Sequence, residues 1–136
     1  MEDYILSCSS TADMTNGYYS SRDIHHIDCK YTIGGKTYDE SMGESVPLSD
    51  FYERMRNGEI PTTSQIDMAE YKEYFKKFLE DGKDVLHICL SSSISESYLS
   101  AMAAVKELKG DYPERQLHVV DSLSASAGMG LLVDIL

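Results

Sequence analysis

Residues 85–98 read VLHICLSSSISESY. Val85 to Leu90 form a nearly continuous apolar run, the pattern of a strand covered on both faces of a parallel sheet, with His87 a structural residue inside it. Five serines and one glutamate follow within seven residues, from Ser91 to Ser97. Tyr98, Ala101, Met102, Val105 and Leu108 then recur at helical spacing up to Gly110. Strand, hydroxyl-rich loop and helix succeed one another, and the same unit recurs on both sides.

Downstream, Leu117-His118-Val119-Val120 reads as another buried strand, and Asp121 to Gly128 as the opening of a further helix. Upstream, Tyr4-Ile5-Leu6 is a short strand running into Ser7-Cys8-Ser9-Ser10-Thr11-Ala12-Asp13. Ile24 to Tyr38 reads as two short extended segments joined at Gly34-Gly35. Ser49 stands as the N-cap of a short helix ended by Asn57-Gly58, and Glu59 to Gln65 reads as a loop. Tyr71, Tyr74, Phe75, Phe78 and Leu79 fall at i, i+3, i+4, i+7, i+8, with Asp67 and Glu70 suited to the first turn and Gly82 to the end. The alternation predicts an α/β fold, a parallel β-sheet flanked by helices with right-handed crossovers.

A chain of 136 residues, 42% hydrophobic and 26% charged, is sized and composed for one globular domain. Its 12 Lys and Arg against 23 Asp and Glu give a net charge of −11, which disfavours nucleic acid and anionic membranes as partners. Cys8, Cys29 and Cys89 are odd in number and lack CxxC spacing, so reduced thiols are expected rather than a disulfide framework or a zinc site. The start, MEDYILSCSS, lacks the features of a signal peptide, and no window has the roughly 20 apolar residues of a membrane span, so the cytoplasm is the expected location. The end, GMGLLVDIL at residues 128–136, is apolar and uncapped, and reads as a helix cut short.

Ligands of open α/β sheets bind beyond the carboxyl ends of the strands, and three such ends here carry Ser or Thr: Ser7–Asp13, Ser91–Ser97 and Asp121–Ser126. Backbone N–H groups, helix dipoles and hydroxyls would converge there on a small anion. Serine also serves as an ordinary N-cap, but one cap needs one hydroxyl, and the 91–97 segment has more. The sequence has no GxSxG elbow, SxxK or GxxxxGK[ST] loop, no calcium-loop spacing, and no histidine placed as an obvious base. A binding module therefore ranks above an enzyme. The alternative is an α/β serine hydrolase or small-anion-binding enzyme, with Ser95 or Ser122 as nucleophile and a base from a segment outside this chain.

Four segments, Ser9-Ser10-Thr11-Ala12-Asp13-Met14, Pro61-Thr62-Thr63-Ser64-Gln65, Leu90 to Tyr98, and Val120-Asp121-Ser122 through Gly130, together resemble the motifs of the DegV family. The resemblance implies a bacterial fatty-acid-binding carrier without catalytic residues, metal or cofactor, whose ligand is a long-chain fatty acid that some members present to a fatty acid kinase. It also implies that residues 1–136 are the N-terminal α/β domain, with the family's second domain outside this chain. Matched by motif, Thr63 and Ser95 would hold the acyl carboxylate, and Ser10, Thr62, Ser92, Ile94 and Ser126 are candidates for the pocket lining. The sequence departs from the family pattern at Ser9, where Asp is common, at Ile66, where Pro follows Gln, and at Glu96-Ser97, where Gly-Thr is usual.

Overall fold

The computed structural model of the chain describes residues 4–136. Met1, Glu2 and Asp3, which begin the stretch weighed as a leader, lie outside the described residues. In chain order the elements are β1 (Tyr4–Ser9), a 3-10 turn (Ser10–Ala12), α1 (Asn16–Ser21), β2 (His25–Ile27), β3 (Lys30–Ile33), β4 (Lys36–Asp39), α2 (Leu48–Arg56), β5 (Thr62–Ser64), α3 (Met68–Glu80), β6 (Asp84–Cys89), α4 (Ser97–Asp111), β7 (Leu117–Asp121) and α5 (Ser126–Ile135).

Four strands in the order β2-β1-β6-β7 form an all-parallel sheet, flanked by helices as expected. On one face, Tyr71, Phe75 and Leu79 of α3 pack with Ala101, Ala104 and Leu108 of α4 over Val85 and Cys89. On the other, Tyr19 of α1 and Met129 and Val133 of α5 pack over Cys8 and Ile88. Each large apolar side chain so buried contributes about 1.5–3 kcal/mol, so these two layers carry most of the stability.

The start of α3 is fixed by a reciprocal cap. Asp67 Oδ1 accepts from the Glu70 amide at 2.9 Å, and Glu70 Oε2 accepts from the Asp67 amide at 3.0 Å. His87 is fully buried among Tyr71, Tyr74 and Phe75, with Nδ1 2.9 Å from Ser7 Oγ. Burial depresses its ring to a pKa of about 3, so it stays neutral.

Three local expectations are corrected. The short helix α2 has Pro47, not Ser49, at its N-cap, because Pro47 supplies the carbonyl that receives the Phe51 amide. The loop at 59–65 contains β5, which pairs antiparallel with β3 and completes a second sheet in the order β4-β3-β5. The hairpin turn itself is as read: Gly34 and Gly35 have φ of +58° and +75°, the left-handed pair that a tight β3-β4 connection needs. Finally, β7 is an edge strand rather than a buried one, since it pairs with β6 alone and His118 and Val120 face outward.

Candidate functional site

The small sheet stands over the carboxyl-terminal edge of the large one, and a cavity of about 670 Å³ lies between them. Leu90, Ile94, Ser95, Glu96 and Ser97 from the end of β6 and the start of α4 form its floor, with Thr11 beside them. Cys29, Lys30, Tyr31, Asp39 and Glu40 from the β3-β4 hairpin, with Thr63, Ser64 and Gln65 from the end of β5, form a second wall. Leu48, Phe51 and Tyr52 of α2, after Val46, form the third. A smaller cavity of about 200 Å³, near Leu79, Leu108, Tyr112 and Leu117, lies at the opposite end of the sheet and lacks a hydroxyl cluster.

The serine segment divides its work. The Ser91 carbonyl accepts from the Ile94 and Ser95 amides at 2.9 and 3.1 Å, and Ser91 Oγ accepts from the Ser93 amide at 3.2 Å, which bends the chain back on itself. The Ser92 amide donates to Asp121 Oδ1 at 3.1 Å. Hydrogen bonds from Ser92 and from the Leu123 amide hold the Asp121 carboxyl below its ordinary pKa. Ser95 Oγ accepts from the Ser97 amide at 3.2 Å, so it satisfies a free donor of α4 while lining the cavity.

Thr63 reaches the same cavity from another element. It is the register partner of Tyr31, which in turn pairs with Tyr38, so strand alternation sets all three on one face of the small sheet. The Tyr31 ring stacks on Tyr38 at 5.6 Å and meets Phe51 edge-on at 5.1 Å. This aromatic cluster attaches α2, none of whose residues is fully buried. The apolar face of α2 is thus left to the cavity and to solvent, with Leu48 60% and Tyr52 55% exposed.

Of the residues singled out from sequence, Thr63, Ser95 and Ile94 line this cavity together, whereas Ser10, Thr62, Ser92 and Ser126 lie outside its lining. Ser10 is buried and joins the two sheets instead: its hydroxyl donates to Glu40 Oε2 at 2.6 Å and accepts from the Cys29 amide at 3.0 Å. Thr62 pairs with Thr32 across the small sheet, and Ser126 begins α5. Tyr31, Phe51, Glu40 and Cys29 were not among the site candidates, Cys29 being read only as a reduced thiol; the Tyr and Phe runs near Gly34-Gly35 and Asn57-Gly58 were the available signal for an aromatic wall.

The hydroxyls of Ser95 and Ser122 meet Ser97 Oγ and the Ser124 carbonyl. The hydrogen-bonded Ser–His pair, Ser7 with His87, is wholly buried. Among the described residues, no group of three His, Cys, Asp or Glu side chains could hold a metal ion, and no helix is long and apolar enough to cross a membrane.

The family model described as "Uncharacterised protein, DegV family" matches residues 8–134, and the chain belongs to that family. A DegV domain-containing protein of Streptococcus pyogenes is 32% identical over 130 residues, 95% of this chain and 45% of that protein. Among solved structures, a stearic-acid-binding protein from Eubacterium ventriosum superposes with a TM-score of 0.87 at 26% identity, covering 97% of this chain and 45% of that one. A Thermotoga maritima protein described as having a fatty acid binding function superposes with a TM-score of 0.84 at 30% identity, covering 99% of this chain and 48% of that one. The chain spans about half the length of these relatives.

Proposed function

We propose that this DegV-family chain is a non-catalytic carrier domain that forms the head-group side of a fatty-acid site, with Thr63 and Ser95 hydrogen-bonded to the acyl carboxyl group. One observation carries the reading: hydroxyls from β5 and from the β6-α4 loop line one cavity whose third wall is the apolar face of α2. Similarity to the fatty-acid-binding structures of Eubacterium ventriosum and Thermotoga maritima supports the choice of ligand. Each CH₂ removed from water contributes about 0.8 kcal/mol, so the tail supplies the affinity and the two hydroxyls decide which end of the ligand stands where. Among the described residues, the Ser95 and Ser122 hydroxyls meet Ser97 Oγ and the Ser124 carbonyl rather than a base, which favours carriage over hydrolysis. A fatty acid kinase would be the partner that takes the presented carboxyl group.

Mass spectrometry of an organic extract of the purified protein tests this reading. A stoichiometric long-chain acid supports it, and an extract free of acyl lipid, together with no binding of added fatty acid, overturns it.

A further inference from the structure

We propose that an acyl acid enters this cavity together with a proton, and that Glu96 and Glu40 are the residues that make the site select a protonated carboxyl head over a carboxylate. The inference rests on the acyl-site reading above and deepens it.

The charge on the cavity walls is the reason. Three acidic residues, Asp39, Glu40 and Glu96, and one lysine, Lys30, are among those that line the cavity, with Asp39 and Glu96 exposed. Lys30 Nζ is already ion-paired with Glu70 in the first turn of α3, with Asp39 and Asp67 also near it. An entering carboxylate therefore adds a negative charge to walls that are negative already and whose cation is matched. Two carboxylates sharing one site strongly favour keeping one proton between them.

Glu96 is the nearest such group in sequence to the binding hydroxyls. It directly follows Ser95 and stands at the head of α4, where a negative charge is favourable, and its side chain makes no capping bond there. A ligand carboxyl brought to Ser95 thus competes with Glu96 for the same helix terminus. Glu40 acts from the opposite wall. Its carboxylate accepts from Ser10 at 2.6 Å, and the acids around it are Asp13 and Asp28, the latter 3.3 Å from His26 Nε2. Burial, opposed by the Ser10 hydrogen bond, pushes the Glu40 carboxyl above its ordinary pKa, which makes it a second place for the proton to go.

The test uses calorimetric titration of the full-length protein with dodecanoic acid and with dodecanol, which has the same tail and no charge. Between about pH 6 and pH 8 the acid should lose at least ten-fold in affinity while the alcohol changes by less than about two-fold. At about pH 8, Glu96→Gln should shift the acid-to-alcohol affinity ratio about five-fold towards the acid. Glu40→Gln, which keeps an acceptor for Ser10, should shift it in the same direction and shallow the pH slope. Acid binding that is level across this range, with a ratio unmoved by Glu96→Gln, overturns the inference and leaves the acyl-site reading standing. Failure of both ligands to bind overturns the acyl-site reading, and this inference with it.

Discussion

The hydroxyls of Ser95 and Ser97 lie 2.9 Å apart at the start of α4, and the Ser97 amide donates to Ser95 Oγ at 3.2 Å. Both belong to the cavity floor, Ser97 as a buried residue and Ser95 as a partly exposed one. The Ser95 hydroxyl thus serves the fold and the candidate site at once.

That double duty separates Ser95 from Thr63. Ser95→Ala removes the acceptor of the Ser97 amide in the first turn of α4 and should cost about 1 kcal/mol of stability, whereas Thr63→Ala, on an exposed strand, should cost less than about 0.5 kcal/mol. Both should weaken acyl-acid binding. Urea denaturation midpoints measured beside ligand titrations check this: equal stability losses in the two variants would contradict that role.

Phe51→Ala tests the third wall. The Phe51 ring meets both Tyr31 and Tyr52 edge-on, and α2 buries little else. Loss of the ring should loosen α2 and lower acyl affinity by about ten-fold or more, for acid and alcohol alike, with a stability loss of only about 1 kcal/mol. An unchanged affinity in titration would place the tail elsewhere.

The thiols should differ in reach rather than in chemistry. Burial raises Cys8 and Cys29 to about 11 and Cys89 to about 12, so thiolate is scarce at neutral pH for all three. Cys8 and Cys89 are fully buried, but Cys29 is half-buried and lines the cavity. A maleimide followed by mass spectrometry should label Cys29 first and slowly, and a bound acyl ligand should slow it further. First labelling at Cys8 would contradict the packing described.

His87 makes the fold sensitive to acid. Its unfolded pKa is near 6.5 and its folded value about 3, so below pH 6.5 the unfolded chain binds a proton that the native chain does not. The stabilising contribution is complete above 6.5 and is lost as pH falls towards 3, with a slope of roughly 1.4 kcal/mol per pH unit from this group. Denaturation of wild type and His87→Leu at several pH values should show a shallower dependence in the variant. Parallel curves would assign the acid sensitivity to carboxylates instead.

Much of this was legible in the sequence because its signals were local. The Val85–Leu90 run announced a central strand, and Asp67 with Glu70 announced the start of α3. The small sheet was half hidden: β5 is Thr-Thr-Ser, exposed throughout, and is a strand only because Lys30, Tyr31 and Thr32 pair with it. No window on 59–65 contains that information. The site was legible to the same degree. Thr63 and Ser95 carried motif signals, whereas Cys29, Glu40 and Phe51 join the cavity through the folding of the hairpin and α2 over the sheet edge. Ser10 was misleading because a buried hydroxyl that ties two sheets together has the same sequence signature as one that meets a ligand.

Whether Thr63 and Ser95 hold the carboxyl end of an acyl chain is read from the affinity of dodecanoic acid for the wild type and for Thr63→Ala, Ser95→Ala and Ser93→Ala. A hydrogen bond nets about 0.5–1.5 kcal/mol to a neutral carboxyl group and roughly 1.5–3 kcal/mol to a carboxylate, so the first two variants should bind the acid between about 2- and 100-fold more weakly, with almost no penalty from Ser93→Ala. If Ser93→Ala weakens the acid more than Ser95→Ala does, or if Thr63→Ala and Ser95→Ala leave it unchanged, the carboxyl group is held elsewhere and the account is wrong.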